Sequence, residues 1–127
     1  FLQDMLKGGR VVAYGENTLT AGGFYSMPQL YGDGWMVCGD SASMVDVQKL
    51  KGIHLAMKSG MLAGQVAAAA LATGDSSAKM TSRYHDLVMN SFVKSELYRV
   101  RNFHQTLSQG IFSSLPLIAL QELSGGR

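Results

Sequence analysis

The chain has 127 residues, 46% of them hydrophobic and 16% charged, with a formal net charge of +2. That hydrophobic content excludes disorder as the main description, and a charge this small gives no footing for nucleic acid binding. A single cysteine, Cys38, excludes an internal disulfide framework and any Cys-rich zinc or iron–sulfur site within the stretch. The 15 glycines are about twice the usual share, and they follow no triplet repeat that would indicate collagen.

The first third reads as strands and turns. Arg10 to Tyr14 is a short β-prone run closed by Gly15, and Asn17 to Ala21 continues the sheet. Gly22-Gly23 marks a sharp backbone feature where a Cβ is unwelcome. Tyr31 to Gly34 is a tight turn by composition, and Trp35 to Cys38 is an apolar run of the kind that forms a buried strand. Cys38 is accordingly expected to be buried and inert.

The rest reads as three to four helices. Leu50 to Leu71 is helix-prone, although Gly52, Gly60 and Gly64 each cost about 1 kcal/mol relative to alanine in a helix interior. With Ala56, Ala63 and Ala67 they line one face almost free of side chains, as expected where something approaches the helix closely. Lys79 to Met89 and Phe92 to Leu107 supply two further helices. Ile111 to Leu123 closes the chain, with Pro116 expected in a first turn capped by Ser113 or Ser114. No apolar run reaches the length of an ordinary membrane span. The first 48 residues carry a net charge of −3 and the remainder +5, a tilt that reads first as a solvated helical face.

The stretch that carries chemistry is the strand, then Gly39-Asp40-Ser41-Ala42, then the small-residue helix. A strand in this position delivers the Asp40 carboxylate to the carboxyl edge of a sheet, where ligands of α/β folds bind. A carboxylate there accepts hydrogen bonds from vicinal hydroxyls, and the N-terminus of the following helix favours negative charge. A lone Gly-Asp is far more often an ordinary turn.

The wider context is more specific. Gly22-Gly-Phe-Tyr-Ser-Met-Pro28, Gly34-Trp-Met-Val-Cys-Gly-Asp40, Lys49 to Ala63 and Glu96-Leu-Tyr-Arg-Val-Arg-Asn102 occur in order. Together they closely resemble the electron transfer flavoprotein-ubiquinone oxidoreductase family, from about Val11 to about Gly110. The resemblance implies an α+β piece of a glutathione-reductase-type FAD fold. Residues 1–33 would belong to the quinone-binding sheet region, 34–73 to the end of the FAD-binding domain, and 74–127 to a helical C-terminal region. It implies that Gly39 and Asp40 contact the ribityl chain of FAD. Ser41 to Val47, with Gly52, Ile53 and Leu55 at the helix start, would lie beside the isoalloxazine. Gly22 and Gly23 would line a quinone pocket, with Tyr25 and Met27 as its walls.

The implied partners are electron transfer flavoprotein, a quinone and a peripheral membrane contact, on the cytoplasmic face in a prokaryote. A 4Fe–4S cluster would lie outside this stretch or on a separate ferredoxin-like protein. The sequence departs from the family in lacking the Gly-x-Gly-x-x-Gly fingerprint and the four cluster cysteines, and in placing Ile53 or Leu55 where a threonine is common. On this resemblance Phe1 falls late in the family's sequence, and the isolated chain is expected to be inactive. Two alternatives are a geranylgeranyl-reductase-like flavoprotein reducing an isoprenoid double bond and a non-catalytic helical interaction module.

No side chain is assigned a catalytic role, and His85 and His104 lack ligand-spaced partners for a metal. His54 reads first as a structural histidine, although its place beside the helix start also suits tuning of a flavin. Lys49, Lys51 and Lys58 read as exposed, or as steering groups for an anion. Ile111 to Leu123 is too short to span a bilayer but suits an interfacial helix.

Overall fold

The computed structural model describes every residue except Phe1, Val11, Glu16, Asn17, Leu19, Gln109, Gly126 and Arg127. For Leu2, Gln3, Ile111, Phe112, Ser113 and Glu122 it describes the backbone alone. A short helix α1 (Leu2–Leu6) is followed by a 3₁₀ turn (Gly23–Ser26), a hairpin of β1 (Tyr31–Gly32) and β2 (Trp35–Met36), and a second 3₁₀ turn (Gly39–Ala42). Helices α2 (Ile53–Thr73), α3 (Ala78–Met89), α4 (Phe92–Arg99), α5 (Phe103–Leu107) and α6 (Ile111–Leu123) complete the chain. The described residues are therefore mostly helical with one two-stranded antiparallel sheet, an α+β arrangement.

The core forms where α2, α3 and α4 meet beneath the hairpin. Leu55, Ser59, Leu62 and Val66 recur at helical spacing along the buried face of α2, opposed by Thr81, Tyr84 and Val88 of α3 and by Val93 and Leu97 of α4. Each fully buried leucine there contributes about 1.5–3 kcal/mol. Ser77 and Ser91 accept hydrogen bonds from the backbone N–H groups of Met80 and Val93, which caps α3 and α4. Helix α3 also holds the hairpin. The Ala78 N–H donates to Asp33 Oδ1 at 2.6 Å, Thr81 Oγ1 to the Gly32 carbonyl at 2.8 Å, and the Tyr84 hydroxyl to the Val37 carbonyl at 3.0 Å.

Several expectations are corrected. Arg10 and Val12–Tyr14 form no strand; Val12 and Tyr14 are 90% and 89% exposed, and no strand among the described residues pairs with their backbone. Asn17 and Leu19 lie outside the described residues, and Thr18, Thr20 and Ala21 are not in a strand. In the run from Trp35 to Cys38, Trp35 and Met36 pair with Gly32 and Tyr31, and the Val37 N–H donates to the Leu30 carbonyl at 2.9 Å. Trp35 is 45% exposed and Cys38 is exposed, since a hairpin of two two-residue strands cannot bury both faces.

Helix α2 begins at Ile53 rather than Leu50, since Leu50 adopts a left-handed conformation (φ 53°) and Lys51 bridges back to Asp46. Phe92 to Leu107 breaks after Arg99, where Arg101 Nη1 donates to the Tyr98 carbonyl at 2.6 Å. Pro116 lies inside α6, not in its first turn, and Ser114 is buried within the helix rather than capping it. Among the glycines of the small-residue face only Gly52, at the start of α2, is in close contact, while Ala63 packs against the core. A Cβ on Gly60 or Gly64 would meet open space.

Helix α2 is long and apolar enough to cross a membrane by length and composition, contrary to expectation. One face of it packs on α3, α4 and the Gly-Asp turn, while 28% of its apolar stretch is buried among the described residues.

Candidate functional site

The Gly39-Asp40 turn is built against the first two turns of α2. Gly39 holds a left-handed conformation (φ 67°), and a Cβ there would lie 3.2 Å from Ala56 Cβ. The Gly39 N–H donates to Ser59 Oγ at 3.0 Å, and that hydroxyl donates to the Ala56 carbonyl at 3.0 Å. The Asp40 carbonyl accepts from Thr20 Oγ1 at 2.8 Å and from the Ser43 N–H at 2.9 Å. The Met44 N–H reaches the Gly39 carbonyl at 3.2 Å. The turn's main chain is thus held on several sides.

The Asp40 side chain is exposed, and its carboxylate has no hydrogen-bond partner among the described residues. It lies over the start of α2: a Cβ on Gly52 would come 2.9 Å from Asp40 Oδ1 and 3.2 Å from Val45 Cγ2. Gly52 occupies the cap position of α2 without a side-chain hydrogen bond, and the first intrahelical bond runs from the Ala56 N–H to the Gly52 carbonyl at 2.8 Å. The N–H groups at the head of the helix are left for other acceptors.

The loop between turn and helix is stiffened by Asp46, which is fully buried. Its Oδ1 accepts from the Gln48 and Lys49 N–H groups at 3.0 and 3.1 Å, and its backbone pairs with Lys51. Oδ2 has Lys49 Nζ at 3.1 Å, in charge contact but outside hydrogen-bond alignment. Leu50, Lys51, Gly52, Ile53, His54 and Met57 line a groove of about 330 Å³ at this end. Leu55 turns into the core, so only its backbone reaches the site, whereas Ile53 is 80% exposed.

The double glycine lies nearby. Gly23 is buried with φ 60°, and a Cβ on it would lie 4.0 Å from Val47 Cγ2; a Cβ on Gly22 would fall on the Ser26 side chain. Gly22 and Gly23 therefore behave as the expected sharp backbone feature. Tyr25 is exposed, and Phe24 next to it packs edge-on against Tyr98 of α4 with ring centroids 5.2 Å apart.

Thr20, Ser59 and Asp46 are the supports that reading the residues alone missed. Ser59 left a signal: it is the one polar residue on an otherwise apolar Leu55–Leu62–Val66 face. Beneath the turn, burial pushes the Tyr84 phenol up to about 12, with Cys38 adding to the rise and Ser59 opposing it. No group of three or more His, Cys, Asp or Glu among the described residues is arranged to hold a metal ion.

No protein-family model matches the chain. Its relatives are named as oxidoreductases that act on a flavoprotein. The chain is 38% identical over 94% of its length to the mitochondrial electron transfer flavoprotein-ubiquinone oxidoreductase of Arabidopsis thaliana, of which it covers 18%. It is 39% identical over 80% of its length to the human mitochondrial protein of that name and to the Pseudomonas aeruginosa protein, covering 17% and 18% of them. The chain belongs to the electron transfer flavoprotein-ubiquinone oxidoreductase family and spans about a fifth of the length of the curated relatives it matches.

Proposed function

We propose that this chain is part of an FAD-dependent oxidoreductase that carries electrons from electron transfer flavoprotein to a membrane quinone. The observation that carries the reading is Asp40: its main chain is fixed, while its carboxylate stands unpartnered over an uncapped helix start. Those groups fit a flavin. A carboxylate accepts from the hydroxyls of a polyol, and a helix N-terminus favours the negative charge of a reduced ring. When bound, FAD supplies the passage between two-electron and one-electron chemistry.

The chain's own residues bind and orient. Asp40 would hold the ribityl hydroxyls, with Gly39 allowing the close turn. The backbone of Ser41–Val47 and of Gly52, Ile53 and Leu55 would border the ring. Gly22 and Gly23 would present backbone to a quinone, with Tyr25 and Met27 as walls; Val47 Cγ2 lies 4.0 Å from where a Cβ on Gly23 would fall, which supports a short path between the two sites. No side chain need act as a nucleophile or acid.

The enclosing fold would be of the glutathione-reductase type. Residues 1–33 would lie in the quinone-binding region, 34–73 at the end of the FAD domain and 74–127 in a helical region. A 4Fe–4S cluster would be carried elsewhere, on the same polypeptide or on a ferredoxin-like partner. Helix α6 supports peripheral membrane contact. Its polar Ser114 and Gln121 bond inward to Thr106, whereas Leu115, Leu117, Leu120 and Leu123 are 57%, 44%, 61% and 87% exposed.

In the full-length polypeptide the flavin absorbance is expected to bleach with reduced electron transfer flavoprotein and to return on adding quinone. A flavin that does not bleach with that donor overturns the reading. Asp40→Ala is expected to weaken FAD retention about tenfold or more, the loss typical of a hydrogen bond to a charged group.

A further inference from the structure

His54 occupies the second position of α2, in the groove beside Asp40. Its Nε2 lies 2.8 Å from Glu96 Oε1 of α4, and its ring is parallel to that of Phe92, with an interplanar angle of 2° and centroids 6.3 Å apart. An ionised carboxylate only accepts, so Nε2–H is the donor. One helix therefore grips the imidazole twice, at its edge through Glu96 and across its face through Phe92. The other charged groups nearby are Lys51 before α2, Lys58 one turn further along it, and Lys49 and Arg99, which line the same groove as Glu96.

A helix start with no side-chain cap frays unless tertiary contacts hold it. The segment leading into α2 is anchored up to Lys51 by its backbone pairing with Asp46, but Leu50 is left-handed and 81% exposed and Gly52 has no side chain to cap the helix. The first turn is held inward by Leu55 and sideways by the bond from His54 to Glu96. Helix α4 also reaches the double-glycine turn through Tyr98 and Phe24.

We infer that Glu96 is a positioning residue for the cofactor-facing start of α2, acting through the Nε2–H of His54. The inference rests on the FAD reading above. With the bond intact, the free N–H groups of the first turn stay aimed at the space beside Asp40. Without it the turn frays and the array is lost.

The test uses apoprotein of the full-length polypeptide, titrated with FAD and followed by quenching of flavin fluorescence. Glu96→Ala is expected to weaken binding about threefold to tenfold, the worth of one ordinary hydrogen bond. Glu96→Gln, which keeps an acceptor, is expected to stay within about twofold of the parent. His54→Phe keeps a ring over Phe92 but loses the donor. It is expected to match Glu96→Ala, and the double variant to be no worse than either alone. His54→Phe, compared with Glu96→Gln and the parent, carries the test even if Glu96→Ala does not fold.

Asp33→Ala removes the 2.6 Å contact to the Ala78 N–H, far from the groove. It is expected to lower the melting temperature while leaving FAD affinity unchanged. Three results overturn the inference. Glu96→Ala and His54→Phe could bind as the parent while Asp40→Ala does not, in which case the FAD reading stands alone. Glu96→Gln could lose as much as Glu96→Ala. Asp40→Ala could bind as the parent, which removes the FAD reading and this inference with it.

Discussion

Replacing Ser59 by alanine isolates the support beneath the Gly-Asp turn. Ser59 is fully buried, and its hydroxyl is the acceptor for the Gly39 N–H at 3.0 Å. The substitution removes one oxygen and creates almost no cavity, so the cost comes from the donor it abandons. A buried N–H left without a partner costs about 1–3 kcal/mol. The Ala56 carbonyl, which Ser59 also contacts at 3.0 Å, lies within α2 and keeps its helical partner, so it adds little. With a urea dependence of about 1–3 kcal/mol per molar for a chain of this size, the unfolding midpoint is expected to fall by about 1 M at the middle of both ranges, and by at least about 0.3 M.

Fluorescence of Trp35 reports the transition, and the Gly39 amide is expected to lose most of its protection against hydrogen exchange. Ser82→Ala is the control. Its hydroxyl donates to the Lys79 carbonyl from an exposed position at 2.8 Å, and its loss is expected to cost less than about 0.5 kcal/mol. A Ser59→Ala midpoint equal to that of Ser82→Ala, with the Gly39 amide still protected, would refute the argument that Ser59 holds the turn.

Tyr84 makes stability fall in alkali. The folded chain holds the phenolic proton more tightly than the unfolded chain, so its contribution is complete below pH 10 and is lost as the pH rises toward about 12. Urea midpoints measured from pH 8 upward are expected to drop more steeply for the parent than for Tyr84→Phe; parallel slopes would count against the assignment. Gly39→Ala forces an alanine to φ 67° with its Cβ 3.2 Å from that of Ala56. It is expected to cost about 1–2 kcal/mol from the left-handed conformation alone, read as a lower melting temperature. On α6, Leu115→Asp with Leu120→Asp is expected to reduce flotation of the full-length polypeptide with phospholipid vesicles about tenfold or more, since each change removes an exposed apolar side chain. Unchanged flotation would mean that α6 does not enter the interface.

What was legible in the residues were the features set by local chemistry. The helix-prone run from Leu50 to Leu71 announced α2 to within three residues at each end, Lys79 to Met89 and Phe92 announced α3 and the start of α4, and Gly22-Gly23 announced a backbone no side chain can follow. What was not legible depended on partners distant in sequence. Arg10 to Tyr14 has the composition of a strand, but a strand needs a ladder, and the described residues offer none. Cys38 sits in an apolar run yet is exposed, because the strand ends at Met36 and no larger sheet continues over it among the described residues. Thr20 donates to a carbonyl 20 residues away and Ser59 accepts from an amide 20 residues away, and no local pattern encodes such pairings.

The glycine excess shows how local and distant effects divide within one helix. Gly52, Gly60 and Gly64 share one spacing pattern, so composition treats them alike, although only Gly60 and Gly64 lie in the helix interior and carry its penalty. The surroundings do not. At Gly52 a side chain would run into Asp40 and Val45, whereas at Gly60 and Gly64 it would meet nothing within 4 Å. The first position is explained by the turn it accommodates. The other two remain unfilled on the outer side of α2, next to Met57 and Met61, which are 65% and 67% exposed. The small-residue face is therefore two features in succession: a close approach to the Gly-Asp turn at its start, and an open apolar strip beyond it.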